Sequence, residues 1–303
     1  MNKPYVLDIK GNSLDDGPGI RTTIFFKGCP LSCIWCHNPE SKRVMQELSW
    51  DKETCIGDFG CLKICENGAL SHENPGFVDR TKCKLCFKCA DFCPAKALTK
   101  VGQEKDIEEL VQKAASDIPF YKVSGGGVTL SGGEATMFPE WVGQLCKGLQ
   151  EQGIDILIET CGYFDYDKVR ENILPYVKDI YCDLKIFDRE EHKKYCGVYN
   201  DLILENIKRM KADEKSFNYT LLTRTPLIPG ITDTEQNLSE IAQFLTEIGM
   251  EKTEILPYNP TWYAKTEKIG VELDQNLKEI NSFQDKEEVE KAKNIFREKG
   301  ISC

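Results

Sequence analysis

"RTTIFFKGCPLSCIWC", residues 21–36, runs a β-favouring segment straight into a loop that carries Cys29, Cys33 and Cys36. The β-branched and aromatic residues from Thr22 to Phe26 suit a strand, and Lys-Gly ends it. The cysteines therefore sit just past the carboxyl end of a strand, where α/β barrels place their active sites. No fourth cysteine follows at a matching step, so a metal needing four closed ligands is poorly served.

Working outward, similar apolar runs recur: "GVTLSG" at 127–132, "IDILIET" at 154–160, "DIYCDLK" at 179–185, "YTLLTRTPLI" at 219–228 and "TEILPY" at 253–258. Segments of helical period separate the later ones, among them "PEWVGQLCKGLQEQG" and "EQNLSEIAQFLTEIG". Strands alternating with helices predict a mainly parallel sheet. With "RTTIFF" taken as the first, six strands suffice for an open, partial (β/α)6 barrel of the TIM type, but not for a closed eight-stranded one. Between about 50 and 100 the rhythm breaks into a Cys-, Lys-, Gly- and Asp-rich stretch without a long amphipathic segment. Bound metal can supply the order that such a stretch lacks. Residues 51–100 thus read as an inserted small domain, with 1–50 and 101–303 forming the barrel. The final "DKEEVEKAKNIFREKG" reads as an amphipathic helix stopped by Gly300.

A chain of 303 residues with 41% apolar content can bury a sizeable core. Ten of its 15 cysteines are bunched between positions 29 and 93 instead of being spread as a disulfide framework. The start lacks a signal-peptide pattern and no apolar run approaches the ~20 residues of a membrane span. A cytosolic chain with reduced thiols is expected. A net charge of -10 opposes binding to nucleic acid or to anionic membranes.

A zinc reading of the three-cysteine loop would recruit His37, but His37 adjoins Cys36, and neighbours seldom point at one metal. A four-iron cluster with one iron left open to a ligand suits the loop better. "CPLSCIWC" resembles the signature of radical S-adenosylmethionine enzymes. Taken together, "DDGPGIRTTIFFKGCPLSCIWCHNPES" at 15–41, "SGGE" at 131–134, "DLK" at 183–185 and "LPY" at 256–258 resemble the activating enzymes of glycyl radical enzymes. The resemblance implies that the open iron binds the amino and carboxylate groups of S-adenosylmethionine. An electron then cleaves the sulfonium, and the 5'-deoxyadenosyl radical abstracts hydrogen from a backbone glycine of a partner enzyme. The chemistry itself calls for an electron donor, a flavodoxin or ferredoxin.

The pocket residues follow from the same match. Ser131, Gly132, Gly133 and Glu134 are implied to hold the methionine amino group, the glycines letting backbone approach a ligand; a bare tight turn is the alternative. Alternation in "IYCDLK" puts Asp183 and Lys185 on one face and Cys182 on the other. The resemblance places that pair around the cofactor's carboxylate, with Lys185 also implied in catalysis. Glu159 and Thr160 match a position near the cofactor and, in some relatives, a monovalent cation. Arg224 matches an arginine near the ribose or is an ordinary surface cation. Trp35 packs on the adenine edge or serves packing alone. Many relatives carry histidine where this chain has Asn259, which hydrogen-bonds but does not titrate near neutrality. Asp16, in "DGPG", receives the partner's glycine loop or caps a turn.

In the insert, "CKLCFKCADFCP" sets Cys83, Cys86, Cys89 and Cys93 in the C-x2-C-x2-C-x3-C-P run of two-cluster ferredoxins. "CIGDFGCLKIC" becomes the same run once Asp58 is counted in the second position, with Cys55, Cys61 and Cys65 in the others. Because the fourth cysteine of each run crosses to the other cluster, one cluster takes Cys83, Cys86, Cys89 and Cys65. The other takes Cys55, Cys61 and Cys93, with Asp58 as an oxygen ligand and a labile iron. Three clusters in all are expected. Two alternatives stand beside this reading: a ferredoxin-like electron carrier, which leaves SGGE, DLK and the first loop unused, and a radical enzyme acting on a small molecule, against which the DGPGIR start counts. Cys146 and Cys182 read as small apolar core residues, and Cys161 and Cys196 are given no role.

Overall fold

A computed structural model describes residues 3–272 and 274–303. Its main sheet has seven strands: β1 (Val6–Ser13), β2 (Arg21–Phe26), β5 (Gly127–Gly132), β6 (Ile156–Thr160), β7 (Asp179–Asp183), β8 (Thr220–Pro226) and β9 (Thr253–Leu256). They lie in the order β1-β2-β5-β6-β7-β8-β9. From β2 to β9 every neighbouring pair is parallel, as the alternating pattern predicts. All six expected strands are present. β1 is an addition, antiparallel to β2, so "RTTIFF" is the second strand of the sheet and not the first.

The strand residues divide by parity. Outward-facing Ile24, Phe26, Val128, Leu130, Ile158, Ile180 and Cys182 pack under the helices in one continuous apolar core. Each such side chain, fully removed from water, contributes about 1.5–3 kcal/mol. The alternate positions face inward and are polar toward the carboxyl ends of the strands, as at Ser131, Glu159, Asp183 and Arg224, with Phe25, Leu157 and Leu222 as apolar members. Helices Pro139–Glu151, Asp201–Phe217 and Glu235–Glu247 supply the outer layer. The last helix, Lys286–Glu298, is capped by Asp285 and buries Ala292 and Phe296.

Both edges of the open sheet are occupied. Val6 and Gln103 exchange backbone bonds of 2.8 and 2.7 Å beside β1. At β9, Thr253 N donates to Ser302 O at 3.0 Å, so the chain's last residues cover that edge.

The region between β2 and β5 forms a lobe with a small apolar cluster of its own, including Leu48, Phe77, Val78 and Leu98. It opens and closes with an antiparallel ribbon, β3 (Glu47–Trp50) paired to β4 (Leu98–Val101). The ribbon therefore begins at Glu47, a few residues ahead of the expected boundary. Two one-turn helices, Gly60–Ile64 and Lys88–Phe92, repeat one geometry. Each follows a phenylalanine in the left-handed region, Phe59 at φ 56° and Phe87 at φ 58°, and each ends on an extended cysteine, Cys65 or Cys93. This equivalence places Asp58 where the second run has Cys86. The lobe is pinned to the barrel by a fully buried Lys27, whose Nζ meets Glu47 Oε2 at 3.0 Å and also donates to Glu40 O.

Candidate active site at the carboxyl ends of the strands

The inward-facing residues at the tops of β5, β6, β7 and β8 join in a single hydrogen-bonded chain. Ser131 Oγ donates to Glu159 Oε2 at 2.5 Å; Arg224 reaches Glu159 Oε1 at 2.5 Å and Asp183 Oδ1 at 2.9 Å; Lys185 Nζ meets Asp183 Oδ2 at 2.8 Å. Positive and negative groups alternate along it. Burial pushes the Asp183 carboxyl up, but Arg224 and Lys185 together outweigh that and hold it at about 2. Desolvation works against the charged forms of Lys185 and Arg224, but Asp183, joined by Glu159 at Arg224, outweighs it and pushes both up. Of the two readings of Arg224, the surface cation is excluded: its side chain is 11% exposed and doubly ion-paired. Asp183 and Lys185 share a face, with Cys182 buried behind them, as alternation predicts.

The 131–134 turn is locked to the start of the cysteine loop. Gly133 N donates to Phe26 O at 2.8 Å and Glu134 N to Gly28 O at 2.7 Å. Gly132 has φ +109°, and a Cβ on Gly133 would lie 2.2 Å from Gly28 O. Close approach to protein backbone, more than to a ligand, thus demands these glycines. Glu134 is fully buried, and its carboxylate accepts from Thr136 N (3.2 Å), Thr136 Oγ1 (2.6 Å), Thr160 Oγ1 (2.9 Å) and Cys161 N (2.6 Å). It brackets the turn to the end of β6. Thr160 likewise faces Glu134 and Gly162 N instead of the polar interior. Both Glu159 oxygens are taken by Ser131 and Arg224, so a monovalent cation there would compete with a guanidinium.

Cys29, Cys33 and Cys36 gather beside this wall. Cys36 lies close to both of the others, and burial pushes its thiol to about 12. Cys33 faces Lys185 and Lys42 and is held at about 7, chiefly by a hydrogen bond from Cys196. Lys42 Nζ also donates to Cys33 O at 2.8 Å. His37 turns away and stacks on Trp262, ring centroids 6.2 Å apart, which removes the fourth ligand that a zinc site would need. Among the described residues, no three His, Cys, Asp or Glu side chains are arranged to hold a single metal ion. Thiols that are grouped but not convergent suit a cluster, which presents its irons separately.

Three more of the expected residues make local contacts. Trp35 is 3% exposed and tilts against Tyr195, a contact that suits the packing alternative. Asp16 accepts from Ser13 and from Thr23 Oγ1 (2.7 Å), a turn folded against the middle of β2. Asn259 caps a short helix, accepting from Thr261 N at 3.0 Å.

Two residues that sequence reasoning passed over are part of the site. Cys161 and Cys196 are buried in one apolar group with Cys33, and Cys29 and Cys36 pack against that group. Neither lies in a motif, and no local spacing links either to the loop.

Comparison with known proteins agrees with this geometry. Residues 86–245 match the Radical SAM superfamily model, and 15–58, which contain all three loop cysteines, match a 4Fe-4S single cluster domain. Over 305 residues the chain is 35% identical to the 4-hydroxyphenylacetate decarboxylase activating enzyme of Clostridioides difficile, covering 98% of this chain and 94% of that one. The chain belongs to the glycyl radical enzyme activating enzymes of the radical SAM superfamily. Other members of the activating-enzyme family give the same picture. The indoleacetate decarboxylase activating enzyme of Tractidigestivibacter scatoligenes is 36% identical over 88% of this chain and 87% of its own length. The isethionate sulfite-lyase activating enzyme of Oleidesulfovibrio alaskensis is 37% identical over 83% and 82%. A radical SAM methyltransferase structure from Sphaerobacter thermophilus shares the fold, with a TM-score of 0.55 at 14% identity, over 100% of this chain and 76% of that one. Membership brings S-adenosylmethionine and an iron–sulfur cluster. No helix among the described residues is long and apolar enough to cross a membrane.

Proposed function

We propose that the protein activates a glycyl radical enzyme, using Cys29, Cys33 and Cys36 to hold a [4Fe-4S] cluster that binds S-adenosylmethionine. The observation that carries this reading is the placement of the three thiols between the locked Ser131–Glu134 turn and the Asp183–Lys185 pair, at the carboxyl ends of the parallel strands. When bound, the cluster supplies the electron that cleaves S-adenosylmethionine, and the resulting 5'-deoxyadenosyl radical takes hydrogen from a backbone glycine of the partner.

The chain's own part is positioning. Backbone of Ser131, Gly132 and Gly133 receives the amino end of the cofactor, while Glu134 fixes that turn. Lys185 and Arg224, already oriented by Asp183 and Glu159, offer charge to its carboxylate and ribose, and Asn259 offers its amide near the nucleoside. A prearranged set of this kind needs little reordering when the ligand arrives. A flavodoxin or ferredoxin supplies the electron.

Residues 51–100 are assigned as a two-cluster, ferredoxin-like insert. Cys89 lies near Cys65 and Cys83, and Cys61 near Asp58, Cys55 and Cys93, which is the crossed grouping expected of paired runs. Cys55, Asp58, Cys61 and Cys93 line one shared pocket. Trp50 also lines it, and its indole N–H is buried without a protein partner. That donor set fits a cluster with one carboxylate ligand.

The test is anaerobic. Reduced, iron-loaded protein should convert S-adenosylmethionine to 5'-deoxyadenosine, and addition of the cognate enzyme should give the doublet of a glycyl radical in electron paramagnetic resonance. Cofactor cleavage without that doublet, across partners of the decarboxylase, dehydratase and lyase types, would redirect the assignment to a small-molecule substrate.

A further inference from the structure

We propose that the lysine-rich face around Cys86 docks a small acidic one-electron carrier protein, so that the carrier's electron enters the chain beside that cysteine. The inference rests on the assignment of residues 51–100 as a two-cluster insert in which Cys86 is a ligand.

The two cysteine runs of the lobe supply an internal comparison. Their one-turn helices repeat one geometry, with Phe59 and Phe87 both left-handed and Cys65 and Cys93 both extended. In that equivalence Lys84 and Lys88 flank Cys86, where the first run has Ile56 and Gly60 flanking Asp58. From 82 to 100 there are five lysines and one carboxylate, Asp91. The matching stretch 54–72 has one lysine, Lys63, and two carboxylates, Asp58 and Glu66. The first run reaches the shared geometry without such lysines, so the fold does not account for them.

The structure gathers these charges on one exposed patch. Cys86 is the only exposed cysteine among the described residues, and Lys84 and Lys88 are exposed on either side of it. Lys100, on β4, has its Nζ 4.8 Å from the ring centroid of Phe87, which brings a third cation to the residue next to Cys86. Two carboxylates come near: Glu66 meets Lys88 at 2.6 Å and Asp79 meets Lys82 at 3.2 Å. The lysine side chains of these pairs are 55% and 61% exposed, so water screens both and a competing carboxylate displaces them at little cost. Lys84 and Lys100 have no carboxylate partner among the described residues.

The chain as a whole carries a net charge of -10. An acidic carrier is therefore repelled by most of the surface and drawn to this face, which speeds and orients its encounter. The exposed cysteine at the centre of the patch selects an electron carrier over other acidic proteins. On docking, the carrier is oxidised by one electron and the cluster ligated by Cys86 is reduced by one, with no bond or proton exchanged.

The experiment uses the full, iron-loaded chain under anaerobic conditions, with a reduced flavodoxin and a reduced ferredoxin of net negative charge as probes, followed by stopped-flow absorbance. At about 50 mM salt, Lys84→Gln, Lys88→Gln and Lys100→Gln combined should slow electron transfer about tenfold, while Lys52→Gln and Lys63→Gln combined should stay within about twofold of wild type. Raising salt to about 500 mM should bring wild type down to the triple variant and scarcely move the variant. Dithionite-reduced spectra of all three proteins should coincide, since the clusters themselves are untouched. Carbodiimide cross-linking of wild type to the flavodoxin, which needs no variant, should join its carboxylates to Lys84, Lys88 or Lys100. A wild-type rate in the triple variant, equal slowing by the Lys52 and Lys63 changes, cross-links confined to lysines outside 82–100, or no electron transfer from either probe would each overturn the inference. Dithionite-reduced wild type with no cluster signal beyond the one that responds to S-adenosylmethionine would instead sink the two-cluster assignment, and this inference with it.

Discussion

Asp183→Asn removes one charge from the middle of the ion-paired wall while keeping the shape of the side chain. The carboxyl is held at about 2 instead of 3.8 by Arg224 and Lys185, which corresponds to about 2 kcal/mol of stability at neutral pH. The amide adds a second penalty, because its NH2 faces the Lys185 ammonium, donor against donor. A loss of about 2–3 kcal/mol is expected, read as a shift of the urea midpoint of the iron-free, reduced protein. The pH dependence follows from the sign of the shift. A carboxyl lowered by folding stabilises fully above its unfolded value and loses that contribution as pH falls through the folded one. The gap between wild type and variant should therefore stay flat from about pH 8 to pH 5 and shrink only below about pH 4. A gap under about 0.5 kcal/mol, or one that changes between about pH 8 and pH 6, would refute the reasoning.

Three further outcomes are expected. Glu134→Gln should destabilise the 131–136 turn by about 1–3 kcal/mol, since an amide nitrogen turned toward Cys161 N leaves a buried donor unpaired; the affinity for S-adenosylmethionine, measured by calorimetry, should fall with it. On mild oxidation the wild-type insert should release one iron and show a three-iron signal, and Asp58→Cys should abolish that signal, because thiolate holds the fourth iron better than carboxylate. Removing iron with a chelator should open residues 51–97 to proteolysis while the barrel resists, because the lobe's own apolar cluster is small; equal cleavage with and without iron would count against metal as its source of order.

The parts of the fold that were legible in the sequence are those whose signal is local. Strands such as "GVTLSG" and "IDILIET" are dense in β-branched residues and buried on the helix side, and they lie where the pattern puts them. β1 escaped because "VLDIKGNS" is an edge strand exposed along most of its length, with Gly and Asn diluting its apolar pattern. The loop cysteines and the Asp183–Lys185 pair were readable from spacing and parity. Arg224 stayed ambiguous, since nothing near it in sequence tells an inward from an outward cation, and the answer lies in Glu159 and Asp183 on other strands. Cys161 and Cys196 were invisible for the same reason: closure of the barrel brings the loop cysteines beside them. For Gly132 and Gly133 the residue type was informative, but the cause is contact with the backbone of Phe26 and Gly28.

The β3–β4 ribbon also bears on how such a chain can diversify. The polypeptide leaves the barrel along one strand and comes home along its immediate neighbour, with Lys27 and Glu47 clasped at the junction. Exit and re-entry are thus a single strand spacing apart, about 4.8 Å. The length of chain between Trp50 and Leu98 therefore does not alter the threading of the parallel strands, and its remaining hold on the body comes from side-chain contacts such as Asp51 with Lys268.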